Sequence, residues 1–183
     1  MTEIINKEIS KKEPNLVKWA RDPDAPNPRE NYDAVCTTML FKDLDLNLGD
    51  LTNINLDNNW EEVSKLILAM SPIIEMREVY VRDNPKKEFV LTFKKLKPAY
   101  DVRMVGYMFM TADQYKKIGI TSSQNKEDDI VDIIFNHELK YYLNYLNGNL
   151  IKLEWCYDDD ELEHLYVTPD DLKNHINLLT EKE

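Results

Sequence analysis

The order of the elements that the sequence predicts indicates an α+β fold, a mainly antiparallel sheet with about four helices packed on it. Strand-like and helix-like segments come in mixed runs, without regular alternation and without an internal repeat. Of the 183 residues, 43% are hydrophobic and 10% are aromatic, which is enough for a sizeable core. The length favours one domain over 1–183, with 1–13 frayed and 122–183 as an acidic C-terminal part.

The first half of the chain predicts short strands, a loop and a helix. Residues 16–19 suit a short strand, and three prolines within 22–31 predict a loop, because proline lacks a backbone donor. Residues 32–41 are rich in β-branched and aromatic side chains and predict a strand. An apolar stripe over 60–70 predicts a helix, which Pro72 ends.

The middle of the chain predicts a sheet. Residues 73–81 and 88–93 indicate two strands joined by a turn. Residues 102–110 carry apolar side chains on both faces, which is typical of a central strand. Thr111 and Gln114 match a capping box, so a short helix is expected to follow that strand directly.

The C-terminal region predicts a long helix, a hairpin and a last helix. Acidic residues crowd the start of 127–146, and Gly148 follows its end, as expected for a helix. Residues 150–157 and 162–167 indicate two hairpin strands. Pro169 suits the first turn of a final helix.

Composition excludes several classes of protein. No run approaches the 18 or so apolar residues of a membrane span. The N-terminus lacks the basic-then-apolar order of a signal peptide, so we expect a cytoplasmic protein. Cys36 and Cys156 are therefore expected to be reduced thiols. A net charge of −11 argues against a general nucleic-acid binder.

The charge is unevenly distributed along the chain. Residues 1–121 carry 19 acidic and 18 basic side chains, whereas 122–183 carry 15 acidic and five basic ones. The segment 82–103 is basic, with seven basic and three acidic side chains. We therefore expect a polarised molecule whose acidic end attracts basic proteins and repels nucleic-acid phosphates. The simpler alternative is a solvated surface that keeps the protein soluble.

The sequence contains few features of enzyme chemistry. It has four glycines and no glycine-rich phosphate loop, and we expect no cofactor. His137, His164 and His175 never share metal-ligand spacing with a cysteine, so we expect no metal. The acidic run Asp158–Glu161 leaves a Mg²⁺ site open as an alternative to solvated carboxylates. Cys36 suits a small buried thiol better than a nucleophile.

Glu138 is a polar side chain in an apolar position. On a helical wheel it falls near the middle of the apolar arc of 127–146, where an unpaired carboxylate is costly. It therefore predicts either a structural pair with an arginine such as Arg103 or a helix break near His137 that turns it outward. The functional alternative is a carboxylate with a perturbed pKa that acts in chemistry or at an interface.

Three stretches resemble a family of small proteins carried by bacteriophages and other mobile elements. The first is 22–30 together with the later NLGD segment 47–50; the second is the VGYMFMT strand 105–111; and the third is the tyrosine-rich helix end 137–148. The chain departs from the family pattern just before NLGD, where it reads KDLDL. Size, acidity and many Lys, Asn and Ile residues also resemble a streptococcal type II-A anti-CRISPR protein.

This resemblance implies a protein that inhibits Cas9 in the cytoplasm of a bacterial host cell, by binding Cas9 or its guide RNA complex. Cas9 holds nucleic acid in a positively charged channel, which an acidic surface can occupy. The candidate partner-binding residues are Glu127, Asp128, Asp129, Tyr157, Asp158, Asp159, Asp160, Glu161, Glu163 and Tyr166. The candidate guide RNA contacts are Lys86, Lys87, Lys94 and Lys95.

Two other functions remain open at the level of sequence. One is a nucleic-acid-processing enzyme that uses Glu138 or the Asp158–Glu161 run as acid, base or metal ligand. The other is an acidic DNA mimic that acts on restriction enzymes. Target pull-down from a host lysate separates the DNA mimic from an inhibitor of Cas9, and incubation of guide RNA with the purified protein, with and without Cas9 and Mg²⁺, separates the enzyme.

Overall fold

The computed structural model describes residues 14, 16–30, 36–41, 72–83, 89–94, 102–118, 127–157 and 161–180. The chain divides into two compact units, the first formed by 1–28 with 144–183 and the second by 29–143. In chain order the elements are β1 (Leu16–Arg21), β2 (Thr38–Phe41), β3 (Ile73–Asp83), β4 (Phe89–Thr92), β5 (Val102–Thr111), α1 (Ala112–Lys117), α2 (Glu127–Leu146), β6 (Ile151–Cys156), β7 (Glu163–Val167) and α3 (Leu172–Thr180).

The first unit contains a three-stranded antiparallel sheet in the order β1-β6-β7. Its register places Trp19, Leu153 and Leu165 side by side on one face. On that face Leu153 is fully buried, and Val167 is nearly so. The next residue along each strand points to the other face, which is polar.

The second unit contains a four-stranded antiparallel sheet in the order β2-β5-β3-β4. β5 lies between β2 and β3, which confirms the expectation of a central strand. The capping box of α1 is also present. The Thr111 hydroxyl accepts from the Gln114 N–H at 3.3 Å, and the Gln114 Oε1 accepts from the Thr111 N–H at 2.9 Å.

Helix α2 packs against this sheet through the apolar stripe that the sequence predicts. Phe135 is fully buried, and its ring centroid lies 6.0 Å from that of Phe93 after β4. The Arg77 guanidinium of β3 lies 4.6 Å from the centre of the Phe135 ring and pairs with Asp132. Both dispersion and cation–π attraction therefore hold the helix against the sheet.

The end of α2 requires Gly148. Its φ of +59° is a left-handed conformation that residues with a Cβ adopt only under strain. The Gly148 N–H donates to the Tyr145 carbonyl at 2.8 Å, and the Asn149 N–H donates to the Asn144 carbonyl at 2.7 Å. These bonds satisfy carbonyls that the helix end leaves unpaired and turn the chain into β6.

The predicted fold class is confirmed as α+β with antiparallel pairing, with differences in its parts. The described strands form two sheets rather than one, because β6 already has β1 and β7 on its two sides. The described residues contain three helices rather than about four, and the helix predicted over 60–70 lies outside them. The expectation of one domain stays a prediction.

The strand predicted over 32–41 is confirmed over Thr38–Phe41 and does not include residues 36–37. β2 begins at Thr38, residues 36–37 form a bend, and 31–35 lie outside the described residues. The bend has a physical cause, since the Cys36 N–H and the Thr37 carbonyl bond to side chains instead of a neighbouring strand. Searched over the described residues, the chain has no helix long and apolar enough to cross a membrane.

Candidate functional site

Glu138 of α2 lies at the centre of a buried polar cluster in the second unit. Its Oε2 accepts from Arg29 Nη1 at 2.7 Å and from the Thr37 hydroxyl. Its Oε1 accepts from the Cys36 backbone N–H at 2.6 Å. We call these four residues the Glu138 network.

The Glu138 network is almost closed to solvent. The Arg29 side chain is 2% exposed, and that of Glu138 is 12% exposed. Arg29 Nη2 also donates to the Thr37 carbonyl at 2.7 Å, so the guanidinium joins the loop to the start of β2. A charge pair this deep is stable only when further hydrogen bonds satisfy both partners, and here they do.

The network shows how the fold accommodates Glu138 at an apolar position of α2. The carboxylate pairs with an arginine, as one interpretation required, but the arginine is Arg29 rather than Arg103. Helix α2 runs unbroken past His137, so no helix break turns the side chain outward. Arg29 was missed because it sits in a proline-rich loop, where nothing in the local pattern marks a buried cation.

Cys36 borders the same network, and burial suppresses its reactivity. Desolvation by burial raises the pKa of the Cys36 thiol, and the negative charge of Glu138 raises it further. The thiol is therefore protonated at neutral pH. An effective nucleophile would have to be a thiolate. This supports the interpretation of Cys36 as a packed thiol.

The acidic residues predicted to bind a partner fall in both units. Glu127–Asp129 form the first turn of α2 in the second unit. Tyr157, Glu161 and Glu163 lie on the β6–β7 hairpin of the first unit. Asp158–Asp160 lie outside the described residues. The structure therefore assigns the acidic residues to two separate groups.

Within the hairpin, the described acidic and aromatic residues are close together. Glu161 and Glu163 are exposed, and Tyr157 is half-buried. Trp155 pairs with Glu163 in the ladder, and Tyr157 follows Trp155 by two residues on the same side of the strand. Burial raises the pKa of the Tyr157 hydroxyl, and the charge of Glu163 raises it further. Tyr166 is engaged elsewhere, since its hydroxyl donates to Asp22 Oδ2 at 3.1 Å.

Of the basic residues predicted to contact guide RNA, the structure describes Lys94. Its side chain is exposed after β4, and its backbone N–H donates to the Thr92 hydroxyl at 3.1 Å. Lys86, Lys87 and Lys95 lie outside the described residues.

Sequence reasoning missed a set of charged groups on the solvent-facing side of the three-stranded sheet. Lys18, Glu154 and His164 are directly opposite one another on β1, β6 and β7. Lys152 pairs with Glu154 at 2.6 Å, and this bond is the main reason why the pKa of Glu154 is lowered and that of Lys152 is raised. We call these four residues the open polar face. The alternation of polar and apolar residues along 151–156 was the signal for it.

Metal-ligating side chains do not gather in the part of the chain that the structure covers. No three of its His, Cys, Asp or Glu residues lie where they could hold one ion. His164 instead packs edge-on against Tyr166, with ring centroids 5.9 Å apart. His137 packs against Tyr141 in α2 at 6.3 Å.

Comparison with known proteins found no match for this chain among protein-family models, curated proteins or solved structures.

Proposed function

We propose that this protein is a mobile-element-encoded anti-CRISPR that inhibits type II-A Cas9 by binding Cas9 or its guide RNA complex through an acidic surface. The observation that carries the proposal is the charge of residues 144–183, which hold ten acidic and three basic side chains. Glu161 and Glu163 present part of that charge on an exposed hairpin. The Cas9 channel is lined with cations, so the two surfaces are complementary.

The hairpin also supplies an aromatic side chain beside its charges. Tyr157 is half-buried, so binding a partner restricts less side-chain freedom than it would for a fully exposed tyrosine. Aromatic side chains of this kind contribute strongly at protein interfaces. Tyr157 is the better candidate anchor of the two tyrosines, because the Tyr166 hydroxyl is already bonded to Asp22.

The geometry around Glu138 weakens the enzymatic alternative. Both oxygens of the carboxylate accept hydrogen bonds from the protein, and the Arg29 cation is in direct contact. A general base needs an oxygen that can reach the proton of its substrate. This arrangement supports a structural role, and the alternative then depends on the Asp158–Glu161 run.

Charge reversal on the hairpin tests the proposal. Cas9, with and without guide RNA, is immobilised, and binding of the wild type is compared with that of the Glu161→Lys/Glu163→Lys variant by biolayer interferometry. We expect this variant to bind at least about tenfold more weakly, because it turns attraction into repulsion. The matched control is Glu30→Lys/Asp113→Lys, which makes the same charge change at exposed positions of the second unit and is expected to bind like the wild type.

This experiment, repeated with an immobilised restriction endonuclease and accompanied by a guide RNA cleavage assay, separates the alternatives. Equal affinity of the hairpin variant and the control would refute recognition through the hairpin. Binding to a restriction endonuclease but not to Cas9 would favour the DNA mimic. Guide RNA cleavage that Asp159→Asn abolishes would favour the enzyme.

A further inference from the structure

Within the part of the chain that the structure describes, β1 is an edge strand of the three-stranded sheet, and a groove lies over the face beside it. No described strand lies beyond β1 on the side away from β6. The groove has a volume of about 460 Å³ and is lined by four consecutive β1 residues, Val17–Ala20, together with Lys152 and Glu154 of β6. Lys152 and Glu154 lie on the β6 side of β1, so the groove covers the polar face of the sheet next to the edge rather than the edge itself.

The hydrogen bonds of β1 show which backbone groups face this edge. The Asp22 N–H, one residue past β1, donates to the Leu150 carbonyl at 2.9 Å and so points toward the β6 side. Backbone groups alternate in direction along a strand, and in an antiparallel ladder the N–H and C=O of one residue point the same way. The N–H and C=O groups of Val17 and Trp19 therefore face the open edge.

The side chains of β1 favour an acidic partner. Lys18 is exposed and makes no side-chain hydrogen bond or ion pair within the described residues. The acid directly across the ladder from Lys18 is Glu154, which is paired with Lys152 at 2.6 Å and to whose lowered pKa Lys18 contributes less than Lys152 does. The Trp19 side chain, on the opposite face of the strand from Lys18, is 54% exposed and leaves a large apolar surface there. β1 itself contains two basic residues and no acidic one.

We propose that β1 is a docking edge for an extended acidic peptide of a partner protein. The peptide adds as a strand, bonds to the outward backbone groups of Val17 and Trp19, places a carboxylate near Lys18 and packs an apolar side chain on the Trp19 indole. This surface is distinct from the acidic hairpin of the proposed function and does not depend on it.

Two other occupants fit less well. A second copy paired antiparallel through β1 would bring the Lys18 side chains of the two chains onto one face of the joined sheet, and like charges opposite each other destabilise a ladder. A single-stranded nucleic acid would stack on Trp19, but its phosphates would meet residues 144–183, which carry seven more acids than bases. A peptide with one or two carboxylates does not bring two Lys18 side chains together, and it carries far fewer negative charges than a nucleic acid, so it meets less of that repulsion.

A pair of variants that differ in one backbone group tests the site. Val17→Pro removes an outward N–H without touching the bonds to β6, and proline is tolerated on edge strands. Val17→Ala is the matched control, because it trims the side chain but keeps that N–H. The probes are fluorescein-labelled peptides in which valines alternate with glutamates or, as a control, with lysines, together with an oligothymidylate. Binding is followed by fluorescence anisotropy.

The proposal requires saturable binding of the glutamate peptide, at least about tenfold weaker to Val17→Pro than to Val17→Ala. The Lys18→Glu variant must bind the lysine peptide in preference to the glutamate peptide. If the circular dichroism spectrum shows that Val17→Pro disturbs the fold, the result with Lys18→Glu is the test of the proposal. The proposal is overturned if no peptide saturates, if the proline and alanine variants bind equally, or if the oligothymidylate binds in place of the peptides. It is also overturned if sedimentation shows a dimer that only Val17→Pro dissociates.

Discussion

The two units contain charge pairs with the same chemistry in opposite surroundings. In the second unit, Arg29 and Glu138 are buried 2.7 Å apart, with Thr37 and the Cys36 N–H completing the shell. In the first unit, Lys152 and Glu154 are 2.6 Å apart but partly exposed on a sheet surface. Distance alone therefore does not distinguish a structural pair from a solvated one.

Burial decides what each pair does. Water solvates Lys152 and Glu154 whether or not they are paired, so the bond between them contributes little to the free energy of unfolding. The Glu138 carboxylate has no such alternative, because its partners are protein groups. Removing one of those partners leaves a charge without compensation in a poorly solvated site. The comparison predicts large effects in the Glu138 network and small ones on the open polar face.

The largest effect is expected for Arg29→Met. This change keeps much of the side-chain volume but leaves Glu138 without its cation, and we expect the free energy of unfolding to fall by about 3–5 kcal/mol. Urea unfolding followed by circular dichroism measures it. Because small domains are stable by only about 5–15 kcal/mol, the variant is expected to be marginal at room temperature.

A second substitution, at Glu138, removes the charge that Arg29→Met leaves without a partner. Arg29→Met combined with Glu138→Leu is expected to recover part of the lost stability, since neither charge then remains. A single Arg29→Met variant within about 1 kcal/mol of wild type would contradict a structural role for the network.

The sequence predicts features that depend on local pattern, but not contacts between residues that are far apart in the chain. The bounds of α2, 127–146, follow from local periodicity and capping, and the structure has the same bounds. The β6–β7 hairpin follows from local alternation. The partner of Glu138 does not, because Arg29 is 109 residues away and only the fold brings the two together. Pairing of β1 with β6, which divides the strands into two sheets, is non-local in the same way.

Thr37→Val sharpens the comparison inside the buried network. The two side chains have the same shape, but valine cannot donate to the Glu138 carboxylate. Hydrogen bonds to charged groups contribute about 1.5–3 kcal/mol, and we expect a loss of that size in urea unfolding. Thr38→Val is the matched control, since the Thr38 hydroxyl accepts a neutral bond from Gln114 at 3.1 Å, for which about 1 kcal/mol is expected. Equal losses would show that the charge of Glu138 adds nothing.

A smaller effect is expected for the titration of the Cys36 thiol, whose pKa depends on its burial and, to a lesser extent, on the charge of Glu138. Burial and then Glu138 raise the pKa of the thiol, so the folded state holds the proton more tightly than the unfolded chain does. The resulting stability is present below the pKa of the unfolded thiol and is lost as pH rises through the folded pKa. In a Cys156→Ser background, iodoacetamide labelling of Cys36, read by mass spectrometry, is expected to reach half its maximal rate at a higher pH than a cysteine in a short peptide. Labelling at the same pH as the peptide would contradict this.

The smallest effect is expected on the open polar face, where Lys152→Met should leave the urea midpoint unchanged within experimental error. The bond to Lys152 is the first cause of the lowered pKa of Glu154, and His164 and Lys18 contribute less. The same variant is therefore expected to raise the pKa of Glu154 toward its usual range, as measured by NMR titration of its carboxyl carbon. Because both groups are solvated, added salt should shrink that difference. A lowered midpoint for Lys152→Met that matches the one for Arg29→Met would mean that solvent does not replace the lost partner, and the distinction between the two pairs would then fail.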